Sequence, residues 1–102
     1  MDQIREMVQP LYDSGDLLGF AICGDAGEIV HNESFFSDEM AWQAVAPFVN
    51  VVRQMKKSGR DINRLTVELE DVTLIYGQLE QGHALFTLGR DCDLDAAAAV
   101  LS

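Results

Sequence analysis

The chain has 102 residues, of which 48% are hydrophobic and 24% charged, and its formal net charge is −10 at pH 7. This size and composition indicate one globular domain, residues 1–102, and argue against disorder. The acidic balance argues against a general nucleic-acid binder and against docking on anionic membranes, because both need clustered cations.

The first elements are a short helix and a hairpin. Apolar residues at helical spacing predict a helix that ends at Ser14-Gly15. A strand follows over Leu18 to Cys23, and turn chemistry at Asp25-Ala26-Gly27 leads into a second strand over Glu28 to Asn32. Alternation is expected to place three apolar residues of the first strand on one face: Leu18, Phe20 and Ile22.

Both ends of a long helix are signalled between Asp38 and Ser58. Ser37 is a suitable N-cap, acids occupy the first turn, lysines occupy the last turn, and Gly59 follows as a stop. Pro47 lies inside and removes one helical hydrogen bond, so it is expected to kink or split the helix.

The long helix is apolar around an arc of roughly 200°, whereas packing on one sheet needs a stripe only a little over 100° wide. An uncovered flank usually marks an interface, unless another helix of the same chain covers it. Two flanks are candidates at this stage. One contains Met40, Ala44, Val51 and Met55, and the other contains Trp42, Val45 and Val49.

Three strands and a helix close the chain. Leu65 to Glu70 alternates as a half-exposed strand, Val72 to Gln78 is more buried, and Ala84 to Leu88 follows a turn. Asp91 or Asp93 is expected to cap a final helix that runs to Leu101. The order α-β-β-α-β-β-β-α predicts an α+β fold with a single antiparallel five-stranded sheet flanked by helices.

No catalytic set, cofactor motif or metal-ligand spacing emerges, and we expect a protein that is not an enzyme. His31 and His83 are single histidines that we expect at the surface or at its boundary. Cys23 and Cys92 do not form a disulfide framework. No signal peptide or membrane-spanning run is visible, so a cytoplasmic protein with no membrane insertion is expected.

With these elements in this order, the chain resembles the roadblock/dynein light chain family. The likeness includes the opening hairpin Leu18 to Val30, with its acid–glycine turn, and the long helix that follows it. The resemblance implies homodimers or heterodimers in which the long helices pack together and the next strand pairs across a two-fold axis. It also implies a non-catalytic scaffold, such as a platform for a Ras-like small GTPase. If the strand over Leu65 to Glu70 pairs with itself, Glu68 and Glu70 near the axis would meet like charge, which Arg64 would partly offset.

The main hypothesis is therefore a dimeric adaptor or GTPase regulator. Its interface is predicted to contain Phe48, Val51, Val52, Met55, Thr66, Val67, Glu68 and Leu69. Five of the seven basic residues lie between positions 53 and 64 beside one acid, and they form either a solvated helix end or a patch that steers an acidic partner: Arg53, Lys56, Lys57, Arg60 and Arg64. The alternative hypothesis is a PAS- or profilin-like small-ligand sensor with a closed pocket lined by Phe20, Trp42, Tyr76 and Phe86.

Overall fold

A computed structural model describes residues 2–62, 64–79, 82–95 and 97. Its elements are α1 (Asp2–Asp13), β1 (Leu17–Cys23), β2 (Ile29–Asn32), α2 (Asp38–Lys57), β3 (Arg64–Glu68), β4 (Val72–Leu79) and β5 (Gly82–Gly89). The strands form one antiparallel sheet in the order β2-β1-β5-β4-β3, which confirms the predicted fold class. Leu94, Asp95 and Ala97 are helical, and the rest of the predicted last helix lies outside the described residues.

The two helices lie on opposite faces of the sheet. On the α1 face, Val8 and Leu11 pack against inward-facing residues of β1, β4 and β5, with Ala97 in the same cluster. On the α2 face, Val45, Val49 and Val52 pack against the other side chains of the same strands. Because alternate residues of each strand face opposite sides, one sheet supplies both cores. Neither α1 nor the described part of the C-terminal segment therefore covers the outer side of α2.

A bulge in β1 changes which apolar residues face α1. Leu17 is opposite Leu88 of β5 and Gly19 is opposite Thr87, so Leu18 is an extra residue in β1. An extra residue reverses the alternation, and Leu17 is buried in the α1-side core while Leu18 is exposed. The prediction that Leu18, Phe20 and Ile22 share one face is thus wrong for Leu18.

Helix α2 is capped at both ends as expected and is not split by its proline. Ser37 accepts a hydrogen bond from the backbone N–H of Met40 at 3.3 Å, and Gly59 has a φ of 84° just past the C-terminal cap. The helix continues through Pro47, so the expected split does not occur. The proline side chain points away from the sheet and is exposed.

The buried stripe of α2 decides between the two candidate flanks. It consists of Ala41, Val45, Val49 and Val52, which recur at intervals of three or four residues. The flank containing Val45 and Val49 therefore faces the sheet. The opposite flank contains Met40 and Val51, which are 50% and 42% exposed.

Candidate partner-binding site

An apolar groove lies where the outer flank of α2 meets the edge strand β3. It has a volume of about 340 Å³ and is open to solvent. Helix and strand contribute equally to its walls, with three residues from each: Pro47, Phe48, Val51, Leu65, Thr66 and Val67. Apolar surface that is concave and uncovered is typical of a binding site for another protein or for a ligand.

Exposed apolar side chains extend the groove in both directions. Val67 is 38% exposed, and Leu69 beyond it is 45% exposed. Along α2, the exposed residues Met40, Pro47 and Val51 recur at helical spacing, and Ala44 between them is partly buried. The groove is therefore the concave part of a longer apolar surface.

The strand beside this groove has an unpaired edge. In the described sheet, β3 is hydrogen-bonded to β4 on one side and has no neighbour on the other. The backbone N–H and C=O groups along that edge can pair with another strand. A partner can thus make apolar contacts in the groove and backbone hydrogen bonds at its rim.

A polar chain, buried at Tyr76 and His83 and exposed at Asp25, supports the inner wall of the groove. The rings of Phe48 and Tyr76 stack with centroids 5.8 Å apart and planes 4° apart. The Tyr76 hydroxyl is 2.5 Å from Nδ1 of His83, and Nε2 of His83 is 2.9 Å from Oδ1 of Asp25. Because a carboxylate only accepts hydrogen bonds, Nε2–H donates to Asp25, which leaves Nδ1 of an uncharged imidazole to accept from the Tyr76 hydroxyl. This chain links the β1–β2 turn to the groove.

Burial is the main influence on the pKa of Tyr76 in this polar chain. The pKa of Tyr76 is raised from 10.0, mainly because burial disfavours the phenolate; the positive charge of Arg53 opposes the rise and the Asp25 carboxylate adds to it. His83 is buried, so its expected position at the surface or boundary is wrong. This polar chain could not be predicted from the sequence, because its members come from separate strands and a turn and no local spacing connects them.

The structure brings four of the eight predicted interface residues together in the groove. Phe48, Val51, Thr66 and Val67 line the groove, while Met55, Glu68 and Leu69 lie outside its lining. Met55 is partly buried, and Glu68 and Leu69 are exposed. Val52 is only 4% exposed and packs in the core beneath α2, so it does not present a surface to a partner.

Two groove residues were not among the predicted interface residues. In the sequence, Pro47 signals a helix breaker and Leu65 the start of a half-exposed strand, whereas both line the groove. The spacing of Pro47 from Met40 and Val51 places all three on one helical face, which was the available signal.

The five basic residues of the predicted patch are all exposed. They occupy the last turns of α2, the following loop and the start of β3. Lys56 is oriented by a hydrogen bond from Nζ to Oε1 of Gln78, at 3.1 Å. The patch therefore adjoins the end of the groove and lies on an otherwise acidic chain.

The aromatic residues assigned to a ligand pocket do not share one cavity. Phe20 and Phe86 stack on each other in the α1-side core, at a centroid distance of 5.8 Å. Tyr76 belongs to the α2-side core, against which Trp42 packs. The sheet separates the two pairs. Successive residues of a strand face opposite sides of the sheet, and directly paired residues of neighbouring strands face the same side. The predicted sensor pocket is wrong.

The cysteines are not arranged as activated nucleophiles. Burial raises the pKa of the Cys23 thiol from 9.0, and the Glu28 charge raises it further. Burial is also the main cause of the raised pKa of Cys92. Within the described residues, no group of three or more His, Cys, Asp or Glu side chains could hold a metal ion. No described helix is long and apolar enough to cross a membrane.

Comparison with solved structures identifies the fold. The chain is similar to a Roadblock/LC7 domain from Streptomyces avermitilis, with a TM-score of 0.75 over 99% of this chain and 88% of that one. The two sequences are 18% identical, so the likeness is one of fold. No protein-family model matches the sequence, and no curated protein matches it. The chain thus has the Roadblock/LC7 fold that its order of elements suggested.

Proposed function

We propose that this domain is a non-catalytic adaptor that acts as a dimer through the groove and the free edge of β3. The observation that carries the proposal is that an uncovered apolar stripe and an unpaired strand edge border one another. Exposed apolar patches mark interaction sites and free strand edges tend to pair with another chain, and one partner would cover both. The resemblance to the roadblock family supports the same mode of association.

Association also accounts for the chemistry of the site better than catalysis does. A nucleophile and its base must reach a substrate. Tyr76, His83 and Cys23 are buried in the described structure, and their known contacts serve packing or the polar chain. The groove is lined by Thr66 and five apolar residues, with no titratable side chain among them. Its surface is suited to contact rather than to proton or group transfer.

The client that we propose for this adaptor is a Ras-like small GTPase in the cytoplasm. Support for it comes from the family resemblance. The basic patch supplies a surface that would attract an acidic region of such a partner. In a dimer, the patch would be present twice, since each copy carries the same five residues.

Solution mass tests the dimer. Light scattering behind a sizing column, over a dilution series, should give a mass near twice 11.3 kDa. Val51→Asp places a charge in the groove and should shift the protein to monomer. Val30→Asp is the matched control, because Val30 is 41% exposed but lies in β2 at the other edge of the sheet. A wild-type monomer at every concentration, with a native circular dichroism spectrum, would contradict the proposal.

Nucleotide-dependent binding tests the client separately. We expect the dimer to bind a purified Ras-like GTPase from the same organism differently in its GDP-bound and GTP-analogue-bound states. Lys57→Glu with Arg60→Glu should weaken that binding without changing the dimer mass. A dimer that binds neither state of the GTPases tested would remove the client from the proposal and leave the dimer standing.

A further inference from the structure

We infer that the opposite edge of the sheet, at β2, is a second docking surface, which binds a basic segment of another protein with an apolar side chain between lysines or arginines. The surface consists of Leu18, Val30 and Phe35, and we call it the β2-edge patch. It shares no residue with the groove, so the inference goes beyond the proposed function and does not depend on the dimer. It follows from the exposure of these side chains, from the way in which their backbone is held, and from the charges around them.

Both strands at this edge contain a bulge, and each bulge leaves an apolar residue in water. Leu18 is the extra residue of β1, and Val30 is the extra residue of β2, whose register shifts between Ile22 and Cys23 of β1. Leu18 and Val30 are each 41% exposed. A bulge re-aims side chains, and it also interrupts an edge that could otherwise accept another strand. Because β2 has only four residues as well, a partner would contact side chains here rather than add a strand.

Phe35 has the largest exposed fraction among the large apolar side chains of the described residues, at 78%. Its backbone is held on both sides. The Asn32 side chain donates to the carbonyl of Phe36 at 2.8 Å and accepts from the N–H of Ser34 at 3.0 Å. Phe36 itself packs against the core beneath α2. An exposed aromatic ring on a fixed backbone loses little conformational freedom on binding, which suits it to anchor a partner.

Leu18 and Phe35 belong to the same patch. The N–H of Glu33 donates to the carbonyl of Phe20 at 2.8 Å, so the segment after β2 continues antiparallel beside β1. The approach is close, because an added Cβ at Gly19 would lie 2.6 Å from the carbonyl oxygen of Glu33. One step further along, the same pairing brings the backbone of Phe35 next to that of Leu18. These residues therefore form one apolar surface rather than singly exposed side chains, which would need no explanation.

The chain around the patch carries acids and no lysine or arginine. Positions 6–52 contain eight Asp or Glu residues and no Lys or Arg, and they form β1, β2, most of α1 and most of α2. Asp38 and Glu39 follow Phe35 by three and four residues and are exposed. Such a field attracts a basic partner, and the face of an aromatic ring also attracts a cation. Anionic membranes and nucleic acids have the wrong charge for this surface.

Peptide selection on the full chain tests the partner chemistry. The probe is a random peptide library displayed on phage, and the affinities of the selected peptides are measured by fluorescence anisotropy. We expect peptides with a positive net charge and an aromatic or aliphatic residue, and binding that weakens several-fold as the salt concentration rises. Phe35→Ser should raise their dissociation constant at least about tenfold. Leu69→Ser is the matched control, because Leu69 is 45% exposed but lies beyond β3 at the other edge.

Neutral variants test the contribution of charge. Asp38→Asn combined with Glu39→Gln removes two charges beside the patch, and the new amide oxygen can still accept the hydrogen bond from Asn32. We expect the dissociation constant to rise about fivefold. Glu70→Gln combined with Asp71→Asn is the control, with the same change of charge in the β3–β4 turn and no expected loss. Equal constants for the two double variants would overturn the basic partner.

The dimer and this surface are tested separately. Val51→Asp should leave peptide binding unchanged whether or not it alters the solution mass. Selected peptides that are acidic, or that all bind Phe35→Ser as tightly as wild type, would overturn the inference and leave the proposed function standing. A wild-type mass above that of a dimer, which Phe35→Ser returns to the dimer value, would overturn the separate partner in favour of the basic patch of another copy.

Discussion

Removal of the Tyr76 hydroxyl should destabilise the domain although the ring that packs beside the groove remains. In Tyr76→Phe, the stacking on Phe48 and His83 is retained, but Nδ1 of His83 loses its hydrogen-bond donor inside the protein. Side chains of Tyr76 and His83 are 0% and 4% exposed, so water does not readily replace the lost donor. A buried acceptor without a partner costs about 1–3 kcal/mol.

Urea unfolding followed by circular dichroism is the assay. We expect the free energy of unfolding to fall by about 2 kcal/mol, with an unchanged slope against denaturant. Asp25→Asn is the comparison, because its amide oxygen can still accept from Nε2 of His83 and residue 25 is exposed. We expect it to cost less than about 1 kcal/mol. A loss below about 0.5 kcal/mol for Tyr76→Phe would refute the reasoning, since the hydroxyl would then contribute nothing beyond its solvation in the unfolded chain.

The same side chain has a defined effect on stability at high pH. The pKa of Tyr76 in the folded protein is raised above the ordinary value of 10.0. A raised pKa means that the folded state holds the proton more tightly than the unfolded state. The stabilisation that the Tyr76 hydroxyl contributes is therefore complete below pH 10 and is lost as the pH rises through the pKa of Tyr76 in the folded protein. Tyr76→Phe should lack this component, so the stability difference between wild type and variant should shrink above pH 10.

Three further predictions concern the backbone and the buried thiol. Gly82→Ala should destabilise the domain by more than about 3 kcal/mol in thermal unfolding. The reason is that φ of Gly82 is 141° and an added Cβ would lie 2.1 Å from the carbonyl oxygen of Cys23. Gly15→Ala is the comparison and should cost about 1 kcal/mol, because φ of Gly15 is 81° but an added Cβ would have nothing within 4 Å. Ser37→Ala should cost about 1 kcal/mol through the lost cap of α2, and Ser37→Asp should retain most of the stability. Cys23 should react with a thiol reagent at pH 8 far more slowly than Cys92 and at the normal rate in urea, and equal native rates would contradict its burial.

Local patterns in the sequence predicted most of the secondary structure. Ser37 and Gly59 signal the ends of α2 by capping chemistry that needs no tertiary partner, and the helix begins at Asp38 as expected. The alternation from Leu65 onward predicted β3, although the strand starts one residue earlier and ends at Glu68. These predictions succeed because capping and alternation act between residues a few positions apart.

Local patterns did not predict the placement of side chains that depends on the sheet. A bulge at Leu18 reversed the expected face of β1 at its start, because hydrogen bonding to β5 determines where the extra residue is placed. The four aromatic residues proposed for one pocket lie on both sides of the sheet. The pairing register of the strands decides which residues face each side, and local sequence patterns do not determine that register.

The excess of apolar surface on α2 over what one sheet can cover was predictable without a structure, since the helical period depends only on the order of residues. The helical pattern did not determine which flank is left outward. That was decided when Val45 and Val49 docked on the sheet and α1 packed on its other face. His83 is a similar case, because its partner Asp25 is 58 positions away and only folding brings them within 2.9 Å. The groove and the polar chain behind it exist only in the tertiary structure, because each is made by residues that are distant in sequence and meet only when the strands pair.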